Sequence, residues 1–281
     1  MSSMRIVESS QEMVRACRQA AHPLGLVPTM GALHQGHLDL VRRARRENDT
    51  VAVSIFVNPA QFGAGEDLSK YPRDLDRDLD LLQRENTDLV FVPGPEDVYP
   101  PGFDTWVDMG SLADKLEGAH RPGHFRGVAT VVTKLFNLAR PERAYFGQKD
   151  GQQTVVVRRF VRDLAMGLEV VVVPTVREPD GLALSSRNVY LTPEQRRAAP
   201  VIYRAIRRAE ESWRAGERDA ATLRQQIRQV LEAEPLVEGI DYVSAADGES
   251  LEELEGAGPG TMLSTAVLLG QVRLIDNVIL E

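Results

Sequence analysis

His34 and His37 stand three residues apart around Gly36 in the stretch Pro28-Thr-Met-Gly-Ala-Leu-His-Gln-Gly-His37. Imidazole is the side chain whose charge changes near neutral pH, so a pair of them can donate hydrogen bonds to an anion whose charge is shifting. The stretch follows a short apolar run, Leu24 to Val27, and precedes a segment of helical character from His37 to Asn48. A strand is therefore expected to turn into a helix here. The first N–H groups of a helix are unpaired and carry partial positive charge, which suits phosphate oxygens. Glycine lets a ligand lie against the backbone without meeting a Cβ. The expectation is a nucleotide site. A zinc centre is not expected, since no third ligand stands at a zinc-type spacing and the only cysteine, Cys17, is distant in sequence.

Such a turn needs elements that hold it. Apolar, β-branched runs at Leu24–Val27, Val51–Val57, Leu89–Val92, Arg143–Phe146 and Val170–Pro174 read as strands. Helical patterns fall between them at Ser9–Ala20, His37–Arg46, Tyr71–Glu85, Val128–Ala139 and Gly151–Leu164. Strands that are apolar on both faces and alternate with helices predict an α/β fold, a Rossmann-like doubly wound parallel sheet, with ligands at the carboxyl ends of the strands. The turns at His34–His37, Asn58–Gln61 and Gly147–Asp150 all stand at such ends.

Past Val176 the texture changes. A turn-rich loop leads to Ser185-Ser-Arg-Asn188, and Thr192-Pro-Glu-Gln195 reads as a helix start with proline at its first position. Two long charged helices, Pro193–Gly216 and Ala220–Glu232, then precede three strand-like segments, Ile240–Ser244, Thr261–Leu269 and Val272–Val278. The expected division is a nucleotide-binding domain over residues 1–175 and a smaller α+β lid domain over 176–281.

The chain has 281 residues, 43% hydrophobic and 26% charged, which is enough for more than one small core. No apolar run approaches the ~20 residues that span a bilayer. No signal-like stretch opens the sequence, and one cysteine cannot make an intrachain disulfide, so no membrane association and a cytoplasmic location are expected. A net charge of −8 argues against a nucleic-acid surface. The basic cluster Arg42, Arg43, Arg45 and Arg46 reads as the solvated, dipole-favoured end of the first helix after the histidines, and the acidic run Asp74–Asp80 as a solvated helix face.

Neither a Walker loop nor a Gly-x-Gly-x-x-Gly turn is present. His34-Gln-Gly-His37 early and Leu184-Ser-Ser-Arg187 late instead resemble the paired signatures of the adenylyl-forming nucleotidyltransferases. Further stretches narrow this to a resemblance to the pantoate–β-alanine ligase family. They are Ile55-Phe-Val-Asn-Pro-Ala-Gln-Phe62, Tyr71-Pro-Arg73, Arg121-Pro-Gly-His-Phe-Arg-Gly-Val128, Phe146-Gly-Gln-Lys-Asp-Gly-Gln-Gln153, Ser185-Ser-Arg-Asn188 and Arg273-Leu-Ile-Asp-Asn277. The resemblance runs essentially end to end.

That resemblance implies a two-step ligase. Pantoate is activated by ATP and Mg²⁺ to pantoyl adenylate with loss of pyrophosphate, and β-alanine then displaces AMP to give pantothenate. Such chemistry asks for positioning and cations rather than a covalent nucleophile. By the same resemblance Met30, Gly31, Ala32, Leu33, His34, Gln35, Gly36 and His37 surround ATP, with His34 and His37 on its phosphates. Gly147, Gln148, Lys149 and Asp150 form a nucleotide loop in which Lys149 meets the phosphates and Asp150 the ribose or a neighbouring donor. Val176 meets the adenine through its backbone. Leu184, Ser185, Ser186 and Arg187 form a mobile phosphate loop. Gln61 and Gln153 bind pantoate, with Gln61 also near β-alanine; Phe62, and secondarily Phe56, pack on the geminal methyls, while Asn58 and Arg121 are secondary ligands. His120 and His124 structure their loop. The family pattern usually has an acidic residue where Gln148 stands. The resemblance also implies a homodimer. The alternative is another small-molecule nucleotidyltransferase of the superfamily, which would not need the Gln61 and Gln153 pair.

Overall fold

The computed structural model describes residues 4–281. Six strands, β1 (Arg5–Val7), β2 (Leu24–Thr29), β3 (Thr50–Ile55), β4 (Leu89–Phe91), β5 (Arg143–Gly147) and β6 (Glu169–Val173), form one parallel sheet in the order β1-β4-β3-β2-β5-β6. The expected α/β fold is borne out. The order reverses at β2, and ligands of open α/β sheets bind beyond the carboxyl ends of the strands at such a reversal. β1 was not foreseen: at three residues, two of them exposed, it carries too little pattern to read.

Helices fill the crossovers: α1 (Ser10–Gln19), α2 (Gln35–Glu47), α3 (Leu75–Arg84), α4 (Pro95–Val98), α5 (Glu117–His120), α6 (His124–Ala139) and α7 (Gly151–Asp163). Val27, Leu40, Val41, Val51, Val53, Leu82, Val90 and Tyr145 make a core between α2, α3 and the sheet. Each such aliphatic side chain contributes about 1.5–3 kcal/mol on burial. Two of these helices start about a turn away from the expected residue. α3 begins at Leu75, after Pro72, because Asp74 caps it by accepting the Arg77 N–H. α6 begins a turn early, at His124, because Gly123 takes a left-handed φ of 82° and turns the chain into it.

The chain divides into two compact units. One comprises the residues up to Asp114 together with Arg121–Gly147 and Val156–Val173; the other comprises Lys115–His120, Gln148–Val155 and Pro174–Glu281. In the second unit α8 (Pro193–Ala198), α9 (Val201–Arg214) and α10 (Ala220–Glu232) accompany an antiparallel sheet of β7 (Val237–Asp247), β8 (Thr261–Leu269) and β9 (Val272–Ile279). Ile206 and Trp213 of α9 and Ile227 of α10 pack with Leu263 and Val267 of β8. The single helix expected over Pro193–Gly216 is two: Pro200 has no N–H to continue the ladder, and the chain restarts at Val201. Thr192 and Gln195 form the predicted reciprocal cap. No helix of the described residues is long and apolar enough to cross a membrane.

Candidate active site

β2 delivers the chain into the loop at Met30–Leu33. Thr29 Oγ1 donates to the Ser54 carbonyl at 2.7 Å and accepts the Gly31 N–H at 3.2 Å. Gly31 and Ala32 then adopt left-handed φ values of 79° and 49°. An alanine in this region costs energy, so something must hold it. The holder is Asp78 of α3, whose two carboxylate oxygens accept the Ala32 and Leu33 N–H groups at 2.8 Å each. Arg77 donates to the Leu33 carbonyl at 3.0 Å. Burial pushes the Asp78 carboxyl above its ordinary range, and the Leu33 and Ala32 N–H groups pull part of that back. The acidic run is thus not a uniformly solvated face. Asp74, Asp76 and Asp80 are exposed, but Asp78 is 1% exposed and fully used.

The helix after this loop starts at Gln35 rather than His37. His34 is its N-cap, and its Nδ1 accepts the Gly36 N–H at 3.2 Å. His37 reaches back so that its own Nδ1 accepts the His34 N–H at 3.3 Å. The histidines thus form a reciprocal capping box of the kind usually built from Ser or Thr and Glu. Accepting an N–H takes a lone pair on Nδ1, so in each neutral ring the proton sits on Nε2. The rings lie 4.0 Å apart, centroid to centroid. α2 is fastened at its far end. Arg42 pairs with Asp39 and Glu85, Arg43 with Glu47, and Arg45 with Asp88 and the Asn48 carbonyl. Arg42, Arg43 and Arg45 of the basic cluster are thus ion-paired while staying partly open to solvent, and Arg46 is exposed.

The second predicted turn, after β3, is a short 3-10 turn at Pro59–Gln61 capped by Asn58. The Tyr99 hydroxyl donates to Asn58 Oδ1 at 2.7 Å, and Asn58 Nδ2 donates to Gln61 Oε1 at 3.0 Å and to the Gly127 carbonyl at 3.2 Å. This order turns the Gln61 Nε2 away from Asn58, and it donates to Met30 Sδ at 3.2 Å. The structure therefore brings the Met30 loop and the Gln61 turn together. Burial pushes the Tyr99 phenol up to about 12, so it stays a donor at neutral pH. α6 approaches so closely that a Cβ on Gly127 would lie 2.3 Å from the Ala60 carbonyl oxygen.

His124 faces the Gln61 carbonyl through Nδ1 at 2.8 Å and Arg121 Nη1 through Nε2 at 3.2 Å. A carbonyl can only accept and a guanidinium can only donate, so this ring carries its proton on Nδ1, opposite to His34 and His37. Arg121 also forks onto Glu66 at 2.9 and 2.7 Å. Phe62 is half-buried, edge-on to Tyr71, while Phe56 is in the core beside Tyr99.

The remaining predicted residues belong to the second unit. Gln148, Lys149 and Asp150 form a turn that directly follows Gly147 of β5, and Lys149 pairs with Asp150 at 3.1 Å. Gln153 is half-buried in the first turn of α7. Its neighbour Gln152 is buried and holds the backbone of Lys115 and Glu117. Val176 accepts the Leu184 N–H at 3.0 Å, and Arg177 bridges to Ala183, so the segment folds back on itself before Ser185. Ser185 Oγ accepts the Arg187 N–H at 3.3 Å and caps the turn at Ser186–Tyr190. His120 sits beside Asp241 and Tyr242. Among the described residues no three His, Cys, Asp or Glu side chains are grouped so as to hold a metal ion.

Three groups escaped the sequence reading: Asp78, Tyr99 and the pair Asp276-Asn277, whose amide holds the carbonyls of Gln148 and Lys149 and whose carboxylate holds Arg177. For the last a signal existed, the Arg273-Leu-Ile-Asp-Asn277 stretch, but nothing in it told what the side chains hold.

Comparison with known proteins agrees with the geometry. The family model for pantoate-beta-alanine ligase matches residues 2–279. The chain is 60% identical over 279 residues to a pantothenate synthetase of Roseiflexus castenholzii, covering 99% of this chain and all of the relative. It is 61% identical to one of Chloroflexus aurantiacus, covering 99% of each. Among solved structures, the pantothenate synthetase of Thermus thermophilus superposes with a TM-score of 0.94 at 51% identity, covering 99% of both chains. A pantoate-beta-alanine ligase of Francisella tularensis, crystallised with β-γ ATP and β-alanine, superposes at 0.82 with 34% identity, over 99% of this chain and 98% of that one. With histidine pair, amide turn and whole-length similarity in agreement, the chain belongs to the pantoate-beta-alanine ligase family.

Proposed function

We propose that this chain condenses pantoate with β-alanine at the expense of ATP, through a pantoyl-adenylate intermediate. The observation that carries the reading is the Met30–Gln61 contact, which places a donor amide suited to a hydroxy acid against the loop that leads into the two-histidine helix cap.

In the first step a pantoate carboxylate oxygen attacks the α-phosphorus, an O–P bond forms, and the bond to pyrophosphate breaks. Charge grows on the phosphate oxygens as it does so. His34 and His37 offer Nε2–H donors beside the positive end of α2, and both are oriented by the backbone before any ligand arrives. Lys149 supplies a point charge, the phosphate loop of Leu184, Ser185, Ser186 and Arg187 supplies further donors, and Asp150 and Val176 contact the nucleoside. In the second step the β-alanine amine attacks the acyl carbon, the C–N bond forms, the bond to AMP breaks, and the proton the amine loses passes to solvent. Gln61 and Gln153 bind the pantoyl hydroxyls, because an amide can both donate and accept, while Asn58, its own amide committed to Tyr99, Ala60, Gln61 and Gly127, acts by setting the Gln61 amide. Phe62 packs on the geminal methyls. Arg121, already forked onto Glu66, acts by holding the turn rather than by meeting substrate.

Magnesium fits as a companion of the nucleotide. It usually binds through phosphates, waters and one or two carboxylates rather than in a protein cage, and the nearest candidate carboxylate to the predicted phosphate cation is Asp150, paired to Lys149. When bound it neutralises phosphate charge. A homodimer in the cytoplasm completes the proposal, on the family's pattern, and light scattering of the purified chain tests the assembly.

The discriminating assay follows the two steps. Pyrophosphate exchange into ATP requires pantoate alone, and AMP release coupled to amide formation requires pantoate and β-alanine. Exchange supported by a different acid and not by pantoate would replace this reading with that of another nucleotidyltransferase.

A further inference from the structure

Two adjacent residues of β9, Asp276 and Asn277, are 3% and 4% exposed and touch two segments far from them in sequence. Asn277 Nδ2 donates to the carbonyls of Gln148 and Lys149, both at 2.9 Å, and its Oδ1 accepts from Gln148 Nε2 at 2.7 Å. All three bonds of its amide go to a single turn. Gly151, which opens α7, makes the approach possible: a Cβ there would lie 2.9 Å from three atoms of the Asn277 amide. Asp276 takes both prongs of the Arg177 guanidinium, at 2.5 and 2.9 Å. Arg177 also donates to the Gly181 carbonyl at 3.1 Å and stacks on the Tyr203 ring at 3.9 Å. The segment between Val176 and Leu184 is pinned through that side chain, as it is through the Asp180–Arg196 pair.

Consecutive side chains leave a strand on opposite faces, so a dipeptide in one strand can grip two different segments. We infer that Asp276 and Asn277 are positioning residues for nucleotide binding: Asn277 sets the turn that carries Lys149 and Asp150, and Asp276 sets, through Arg177, the arm between Val176 and Leu184. The inference rests on the proposed ATP contacts of those two segments. It goes further by assigning their geometry to a dipeptide that itself touches no substrate. Neither function survives a change of donor pattern. A carboxylate at 277 would face two carbonyl oxygens with no proton to give, and an amide at 276 would turn N–H groups toward a guanidinium that has only donors.

The test uses pantoate-dependent pyrophosphate exchange and thermal melting of four variants: Asn277→Asp, Asn277→Ala, Gly151→Ala and the Gly151→Ala/Asn277→Ala double variant. Asn277→Asp keeps the side-chain volume and is expected to raise KM for ATP about tenfold to a hundredfold, the effect of losing two directed hydrogen bonds, while KM for pantoate moves by less than about threefold. Gly151→Ala is expected to raise KM for ATP similarly in the parent and to add nothing once Asn277 is alanine, since the clash has then gone. Parallel rises in both KM values, an unchanged KM for ATP, or additive effects of Gly151→Ala and Asn277→Ala would each overturn the inference. Should Asn277→Ala not fold, Asn277→Asp and Gly151→Ala alone decide by the ATP-to-pantoate ratio. A parent chain without pantoate-dependent exchange would overturn the proposed function instead, so the two failures differ.

Discussion

His37 Nδ1 accepts the backbone N–H of His34 at 3.3 Å, so the second histidine of the pair holds the first in place as the helix cap. The cap uses Nδ1 of each ring and so puts its proton on Nε2. This division of labour makes the roles of the two nitrogens separable by substitution.

His37→Ala removes both nitrogens. Turnover is expected to fall by ~10²–10³, the usual effect of removing one preorganised donor. Asn has an oxygen near the Nδ1 position but nothing at Nε2. His37→Asn should therefore recover the melting temperature lost in the alanine variant while leaving turnover low. Single-turnover adenylation at the parental rate in either variant would remove His37 from the chemistry.

Asp78→Asn keeps one acceptor and sets an NH₂ group against a backbone N–H that must then go unpaired in a buried site. The expected destabilisation is about 1–3 kcal/mol, measured by urea denaturation. Because burial raises the folded-state pKa of Asp78 above its unfolded value, the stability this carboxyl contributes is fully present below the unfolded pKa. It is lost as pH rises through the folded value. Asparagine does not titrate, so the gap between parent and variant widens as pH falls from neutrality into the carboxylate range. A gap that narrows instead would show that the two N–H donors, not burial, dominate.

Tyr99→Phe deletes the first link of the Tyr99–Asn58–Gln61 relay. Asn58 Oδ1 then keeps only the Ala60 N–H, so the amide that orients Gln61 is held less firmly. KM for pantoate is expected to rise about five- to tenfold, matching about 1 kcal/mol for one hydrogen bond. KM for ATP should stay close to the parental value. Equal rises in both would mean that Tyr99 serves only the core.

Gln153→Ala is expected to raise KM for pantoate more than KM for ATP in steady-state assays. The opposite order would move Gln153 out of the pantoate contacts and into the nucleotide's.

The sheet was readable because its strands are apolar on both faces, as in Val51-Ala-Val53, and because helical patterns separate them. The histidine turn was readable because two imidazoles and two glycines crowd one strand-to-helix junction. What was not readable were the partners that hold these groups. Asp78 looks like Asp74, Asp76 and Asp80 in sequence, and only the distance from α3 to Ala32 tells it apart. Tyr99 is one tyrosine in a proline-rich loop until its hydroxyl is seen on Asn58. The helix start at Gln35 was missed because histidine is not a common cap, and the break at Pro200 because the charged pattern runs on through it. Long-range pairing is geometry, and periodicity along a chain does not encode it.

The bond from Gln148 to Asn277 spans 129 positions, which has a consequence for how the protein comes into being. A ribosome working at about 5–20 residues per second makes the turn carrying Lys149 many seconds before it makes the amide that shapes it. Every strand of the parallel sheet, by contrast, has been synthesised by Val173. During synthesis, and on dilution from denaturant, the sheet can therefore form while the nucleotide turn still waits. Secondary structure should return before catalytic competence does.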